Sequence, residues 1–312
     1  MSDDIYAFSE LEGAIRRTKD LLWPLNAGVW LRLAVIVFFV GAGGGFPNIF
    51  QYSGGDLPPG AGMPPGVPGY LLLAVGIVLL LALLYMLIGS IFQFVFVDCL
   101  TTGDISLSRF FRLRTGKGLR LFLFQIGLVI LMFAALLAVL IPFVIALFGM
   151  NGVSGAMSVV LFLVLLPVVL ILALIIGIIQ IFTIDFVVPI MNHDDCGVIE
   201  GWRRLWHSLS CRKMQALAYL VTRFVVSILV GIATAIVVLI ALAIIAIPFV
   251  IIGLLLYGMF MSNIAVLLVL LIPYLIIAIP VALLISVPFS TFLRYYPLQV
   301  LARLAPGYAM LP

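Results

Sequence analysis

Two short groups of histidine and cysteine have the spacing that zinc ligands use. They are His193 with Cys196 and His207 with Cys211. Thiolate and imidazole bind Zn²⁺ well, and the second pair would lie one helical turn apart. Asp194 and Asp195, inside the first pair, also have the chemistry of a helix N-cap for a segment at 197–209. Because such short spacings arise by chance, we favour the cap and predict neither a metal nor another cofactor.

A pair of opposite charges within apolar sequence is the second candidate for chemistry. Asp185 lies near the end of the fourth predicted span, and Arg223 lies near the start of the fifth. Antiparallel neighbouring spans would bring the two side chains to the same depth. Ionisable groups inside a membrane are costly, so by default they are candidates for a proton or ion relay. The centres of the spans contain few other polar residues. We therefore favour either a structural ion pair near the interface or an arginine whose side chain extends to the inner interface.

No familiar catalytic motif accompanies these residues. The chain has no Walker A loop, no HExxH and no GxSxG. The glycine run at 41–45 ends a predicted span, where it does not form a phosphate-binding loop. With two histidines and 12 acidic residues, general acid–base catalysis has little material. We predict that the protein is not an enzyme.

The composition defines the class of protein that carries these residues. Of 312 residues, 65% are hydrophobic and only 9% are charged, whereas a soluble domain has about 25% charged residues. Water would not solvate a folded surface with so few charges. The composition excludes a soluble globular protein, a disordered chain and a disulfide scaffold, and it predicts an all-α integral membrane protein.

Charge-free apolar runs indicate where the chain would cross a bilayer. A spanning helix needs about 20 apolar residues, and turn-forming residues such as Asn151 and Gly152 divide the longer runs. The expected spans are 29–46, 70–97, 121–149, 157–190, 216–247 and 264–293. We therefore predict six transmembrane helices arranged as three helix hairpins.

Nearly all basic residues lie on one side of the predicted spans, and the loops on the other side have none. The basic segments are 1–32, 98–120, 191–215 and the C-terminal tail, and the opposite loops are 47–69, 150–156 and 258–263. Short basic loops stay in the cytoplasm, so both termini are expected on the cytoplasmic side of the cell membrane. The four tryptophans lie at or next to that side, at the depth that indole rings prefer. The loop at 47–69 is rich in glycine and proline and is predicted to be an outer connector.

Three segments on the basic side have apolar residues at helical spacing, with arginines beside them. They are 9–22, 105–114 and 197–209. One interpretation is a helix that lies in the membrane interface and binds anionic headgroups. The other is a connector helix packed on its own protein, and the two are compatible. The candidate interfacial residues are Arg16, Arg17, Arg109, Arg112, Trp202, Arg203, Arg204 and Trp206.

Each amphipathic segment comes before two predicted spans, so the single membrane domain at 1–312 contains a predicted repeat. The repeats would cover 9–100, 104–191 and 197–298. Parallel two-span repeats would be related by an axis along the membrane normal.

The most distinctive stretch of sequence joins the fourth and fifth spans. It runs through Asp185–Met191, Asp195–Trp206 and Gln215–Arg223. In these segments the chain resembles a family of uncharacterised archaeal polytopic membrane proteins. More remotely, it resembles the membrane domain attached to some glycerophosphoryl diester phosphodiesterases. The resemblance implies an archaeal source and a six-span architecture with inner amphipathic helices, but it implies no established activity and no functional residue.

These observations favour a non-enzymatic integral membrane protein that organises the membrane, binds lipid or docks a partner through basic cytoplasmic amphipathic helices. The expected partners are the lipid bilayer, anionic lipid headgroups and a cytoplasmic protein, and not nucleic acid. One alternative is a small-molecule, lipid or ion transporter with a cavity lined by Asp185, Arg223 or Gln180. Another is a metal-responsive membrane regulator that uses the histidine and cysteine residues named above.

Overall fold

Long apolar sequence folds here into long helices. The computed structural model describes residues 6–23, 26–44, 67–148, 155–210, 213–260 and 264–311. Within those ranges the chain is helical and contains no strand. The helices are α1 (Tyr6–Leu22), α2 (Ala27–Gly44), α3 (Val67–Thr102), α4 (Leu107–Phe148), α5 (Gly155–Phe182), α6 (Val188–Asp194), α7 (Val198–Ser210), α8 (Lys213–Phe260) and α9 (Ile264–Leu304). A π-helical turn (Thr183–Val187) joins α5 to α6, and a 3₁₀ turn (Pro306–Tyr308) follows α9.

Five helical segments of the described chain are long and apolar enough to cross a membrane. They belong to α3, α4, α5 with α6, α8 and α9. The helix α2 coincides with the first predicted span, but its apolar part, Ala27–Gly41, is shorter. Because lipid offers no hydrogen bonds to the backbone, apolar helices of this length are the structure expected of a helical membrane protein. The sixth span and the hairpin layout stay predictions.

Several predicted boundaries differ from the structure. The fifth span is predicted to end at 247, whereas α8 continues to Phe260. The amphipathic segment at 105–114 is not a separate helix, because α4 runs unbroken from Leu107 to Phe148. No proline interrupts its first turns, and Gly116 and Gly118 each cost only about 1 kcal/mol in a helix. Most of the predicted loop at 47–69 lies outside the described residues, and its last residues already belong to α3.

The buried residues gather at one end of the helices. This end, which we call the basic end, comprises α1, α7, the last turns of α3 and α9, the π turn with α6, and the first turns of α4 and α8. Large side chains such as Phe94, Phe186, Tyr219 and Tyr296 are fully buried there. Away from the basic end, in the rest of α3, α8 and α9, the apolar side chains are largely exposed. Leu239 on α8 is one of them. Such extended apolar surface suits lipid as the surrounding solvent.

Helix α1 packs against α8 and α9. Ala14, Thr18 and Leu22, spaced by one helical turn, are buried, whereas Arg16 and Lys19 are exposed. Thr18 Oγ1 donates to the Ala14 carbonyl at 2.8 Å, so its buried hydroxyl is satisfied. The connector interpretation therefore holds for the apolar face of α1, while its basic face is left exposed.

The contact between α3 and α4 depends on a glycine. A Cβ atom built on Gly118 would lie 2.4 Å from Ile91 Cγ1 and 2.8 Å from Ile91 Cα. Because such distances force the two helices apart, we expect Gly118→Ala to lower the free energy of unfolding by about 1–3 kcal/mol. Titration of the purified protein with sodium dodecyl sulfate in mixed micelles measures this change.

Gly116→Ala is the matched control on the same helix. A Cβ atom at Gly116 meets nothing within 4 Å, so the alanine should raise stability by up to about 1 kcal/mol through its helix propensity. An equal loss of stability in both variants would contradict the close contact at Gly118.

Candidate functional site

A buried ion pair lies at the basic end, between the π turn and α8. Asp185 Oδ2 accepts hydrogen bonds from Tyr219 Oη at 2.7 Å and from Arg223 Nε at 2.9 Å. The side chain of Asp185 is 2% exposed and that of Arg223 is 16% exposed. Arg223 Nη1 also donates to Ser227 Oγ at 2.7 Å. The structure thus brings together the two charges that the sequence places at similar depth.

Pro189 accounts for the irregular helix around Asp185. In the π turn the Val188 amide donates to the Thr183 carbonyl, one residue farther back than in an α-helix. The next amide would come from Pro189, which has no N–H, so the Ile184 carbonyl lacks a helical donor. Arg294 Nη1 donates to that carbonyl at 2.9 Å. A side chain from α9 therefore completes the backbone hydrogen bonding of the π turn.

Arg294 connects three segments of the chain. Besides its contact with the π turn, its Nη2 donates to the Gln93 carbonyl of α3 at 3.2 Å. Arg294 is only 4% exposed, and it interacts electrostatically with both Asp185 and Arg223. By its position in the sequence this arginine belongs to the basic C-terminal tail, and its role in the buried site was not predicted. The signal that could have identified it is the charge directly after the last apolar run, together with a proline four residues after Asp185.

Trp202 also turns toward this site. Its Nε1 donates to Thr183 Oγ1 at 3.1 Å, and Thr183 in turn donates to the Ile179 carbonyl at 2.6 Å. The indole N–H is therefore used within the protein and not at the headgroups, because α7 packs against the π turn. Gln180, predicted to line a transport cavity, has a buried Oε1 with no hydrogen-bond partner in the described ranges. The proton or ion relay stays a prediction.

A second polar cluster connects α3, α4 and α6. Asp98 accepts from Arg114 Nε at 2.7 Å and from its Nη2 at 3.1 Å, the bidentate geometry of strong charged pairs. Asn192 Nδ2 donates to the same carboxylate at 2.5 Å. Lys117 Nζ donates to the carbonyls of Met191 and Asn192 at 3.0 and 3.3 Å, where the last turn of α6 lacks amide donors. The sequence pattern does not predict this cluster, because its residues lie far apart along the chain.

The helix cap predicted at Asp194 and Asp195 is wrong. Asp195 has a φ of 55°, the left-handed conformation that ends α6, and its carboxylate lies 2.8 Å from Lys117 Nζ. The hydrogen bond from Lys117 lowers the pKa of Asp195. The helix α7 begins later, and the Gly197 carbonyl accepts its Gly201 amide at 2.9 Å. Both aspartates are used to end one helix and not to begin the next.

Asp194 connects α6 to α7 and to the C-terminal segment. Its carboxylate accepts from Arg204 Nη1 and, at 2.7 Å, from Tyr308 Oη, and it lies 2.7 Å from His193 Nδ1. Arg204 Nε donates to Glu200 Oε1 at 3.1 Å. Hydrogen bonds with Glu200, then with Asp194 and Tyr308, raise the pKa of Arg204. The charge of Arg204 is therefore engaged within the protein.

The predicted metal candidates do not come together in the described part of the chain. Within those ranges there is no group of three or more His, Cys, Asp or Glu side chains that could hold an ion. The ring of His193 packs edge-on against Tyr308, with centroids 5.4 Å apart. Cys196 is half-buried and His207 is exposed, while Cys211 lies outside the described residues. The geometry gives no support to a metal-responsive regulator.

The other candidate residues contribute to the surface of the basic end. The side chain of Arg203 is 79% exposed and bonds to Glu200 at 3.0 Å. Trp206 is 69% exposed. The remaining exposed candidates are Arg16, Arg109 and Arg112, and Arg17 is half-buried. This exposed surface is separate from the buried ion pair of Asp185 and Arg223. The basic end therefore contains both a buried charged cluster and an exposed basic surface.

Comparison with other proteins identifies a family. No curated protein and no solved structure gives a significant match. The archaeal source and the remote likeness to phosphodiesterase membrane domains therefore stay predictions. A family model matches residues 5–311, almost the whole chain, and the protein therefore belongs to the family of unknown function DUF7544.

Proposed function

We propose that this chain is a non-enzymatic integral membrane protein that binds anionic lipid headgroups with its basic end and gathers such lipids around itself. Both termini and the basic end would lie on the cytoplasmic side of the cell membrane, since short basic segments stay there. The observation that carries the proposal is the exposed face of α7.

The helix α7 has two faces of different character. Val198 and Leu205 are buried against the protein. Ile199, Arg203 and Trp206, at positions i, i+4 and i+7, share the opposite face, on which Ile199 is 83% exposed. An apolar side chain, an arginine and an indole on one exposed stripe are typical of helices that lie in the membrane interface.

Exposed arginines on α1 and α4 extend this surface. Arg16, Arg109 and Arg112 lie at the same end of the molecule as Arg203. Each basic residue near an anionic leaflet contributes about 1 kcal/mol of attraction. Helix α1 packs on α8 and α9, and α7 is held by the hydrogen bonds of Trp202 and Arg204. Helix α4 is itself one of the long apolar helices, so the charges are presented on a rigid scaffold.

Electron paramagnetic resonance of spin-labelled lipids tests the proposal. The purified protein is reconstituted in phosphatidylcholine bilayers with a small fraction of spin-labelled phosphatidylglycerol or spin-labelled phosphatidylcholine. We expect a larger motionally restricted fraction for phosphatidylglycerol, and a smaller difference at high salt because salt screens exposed charges. Equal restricted fractions for the two lipids at low salt would overturn the proposal.

Two neighbouring arginines separate lipid binding from structure. Arg203→Gln should lower the preference for phosphatidylglycerol by up to about fivefold, because it removes one exposed charge, and should leave the thermal midpoint unchanged. Arg204→Gln should lower the thermal midpoint, because Asp194 and Glu200 lose a shared donor, and should leave the lipid preference closer to that of the wild type. Spin-label spectra and thermal unfolding of both variants measure these effects, and the opposite assignment would contradict the two faces of α7.

A further inference from the structure

A groove opens between α3 and the first turns of α4, at the basic end. It is an open groove with a volume of about 520 Å³. The residues that line it are Phe92, Leu107, Ser108, Phe111, Arg112 and Thr115. One side of the groove is apolar and the other is polar and basic, which is the character of a site for an amphiphile.

Aromatic rings form the apolar wall of the groove. The ring centroid of Phe92 lies 5.6 Å from that of Phe111 and 4.9 Å from that of Phe39, on which it stacks. Because Phe92 is buried among these neighbours, the wall is fixed before a ligand arrives. A preformed apolar wall lowers the entropy cost of binding an alkyl chain.

The polar rim lies on one face of α4. Ser108, Arg112 and Thr115 are at positions i, i+4 and i+7. The Thr115 hydroxyl donates within the helix, 3.0 Å from the carbonyls of Phe111 and Arg112. The guanidinium of Arg112 is exposed and has no ion-pair partner among the described residues, and the Ser108 hydroxyl has no hydrogen-bond partner among them. A cationic donor and a hydroxyl donor at the rim of an apolar wall are therefore available to a ligand.

We infer that this groove binds one anionic phospholipid. The phosphate accepts hydrogen bonds from Arg112 and Ser108, and the upper part of an acyl chain lies against Phe92 and Phe111. A guanidinium binds phosphate through two parallel hydrogen bonds, and a serine hydroxyl adds a further donor. A free phosphate ion would leave the aromatic wall unused, so the lipid is the occupant. This inference rests on the proposed function, within which it selects one site from a broader basic surface.

Native mass spectrometry of the full-length chain in detergent tests the inference. Dioctanoyl phosphatidylglycerol is titrated against the wild type, Arg112→Gln and Arg120→Gln. Arg120 is the matched control, because it is exposed on the same helix, does not line the groove and is not one of the candidate interfacial residues. We expect Arg112→Gln to weaken binding about five- to tenfold and Arg120→Gln to weaken it less than about twofold. Unchanged thermal midpoints of both variants establish that folding is intact.

Further arms distinguish the outcomes. Phe111→Ala should also weaken lipid binding, and inorganic phosphate at the lipid's concentration should not compete, because phosphate has no chain to place against the wall. Full competition by inorganic phosphate would overturn the lipid as occupant. Equal losses of lipid binding in the two arginine variants would show that the groove is not the binding site and would leave the proposed function in place. Equal wild-type binding of dioctanoyl phosphatidylcholine and phosphatidylglycerol would overturn the proposed function itself.

Discussion

Asp185→Ala is expected to lower the free energy of unfolding by about 3–5 kcal/mol, the cost of removing one partner of a buried ion pair. The substitution removes the carboxylate that interacts with Arg223 and Arg294 and leaves their guanidinium groups buried without that counter-charge. Tyr219 Oη also loses an acceptor at 2.7 Å. Titration of the purified protein with sodium dodecyl sulfate in mixed micelles measures the loss.

Two further variants show which part of the Asp185 cluster matters. Tyr219→Phe removes a hydrogen bond to a buried carboxylate and should cost about 1.5–3 kcal/mol. Asp185→Leu combined with Arg223→Met should recover part of the loss, because removing both charges also removes their desolvation cost. Wild-type stability of Asp185→Ala would contradict the buried pair.

A relay would give a different result, namely an Asp185→Asn variant of wild-type stability with altered proton or ion flux in liposomes.

The Asp185 cluster shows how much of the buried site can be predicted from sequence patterns. Charge-free runs place Asp185 and Arg223 at similar depth on successive spans, and this placement predicts their proximity. Arg294 could not be placed in the same way. Its main partner is a backbone carbonyl, that of Ile184, and a carbonyl becomes an acceptor for a side chain only where the helical ladder is interrupted. Charge patterns contain no information about backbone acceptors.

The helix α7 shows the corresponding limit at the surface. Apolar residues lie on two faces of this helix, and their periodicity alone does not show which of the two faces packs on the protein. Arg203 and Arg204 are adjacent and look equivalent in the sequence. In the structure Arg204 bonds to Asp194, which is brought near by the end of α6, whereas Arg203 stays exposed. Tertiary packing, and not local pattern, separates the arginine that is engaged within the protein from the one that is exposed.

Arg294→Met is expected to lower the free energy of unfolding by about 2–4 kcal/mol, because it leaves buried acceptors unsatisfied. Methionine fills similar apolar volume but donates no hydrogen bond. The Ile184 carbonyl loses its donor at 2.9 Å, and the contact with the Gln93 carbonyl at 3.2 Å is lost as well. Removing a desolvated charge offsets part of this loss, which is why the effect is smaller than for Asp185→Ala. The same detergent titration measures it.

Two comparisons isolate the role of Arg294. Arg303→Met is the matched control on the same helix, since Arg303 pairs with Glu10 at 2.9 Å with its side chain 65% exposed, and exposed pairs contribute at most about 1 kcal/mol. Pro189→Ala restores an amide N–H that can donate to the freed carbonyl in the π turn. Arg294→Met should therefore cost less in the Pro189→Ala background than in the wild type, a coupling that a double-mutant cycle measures. Equal costs in the two backgrounds would show that Arg294 acts through its charge and not as the missing backbone donor.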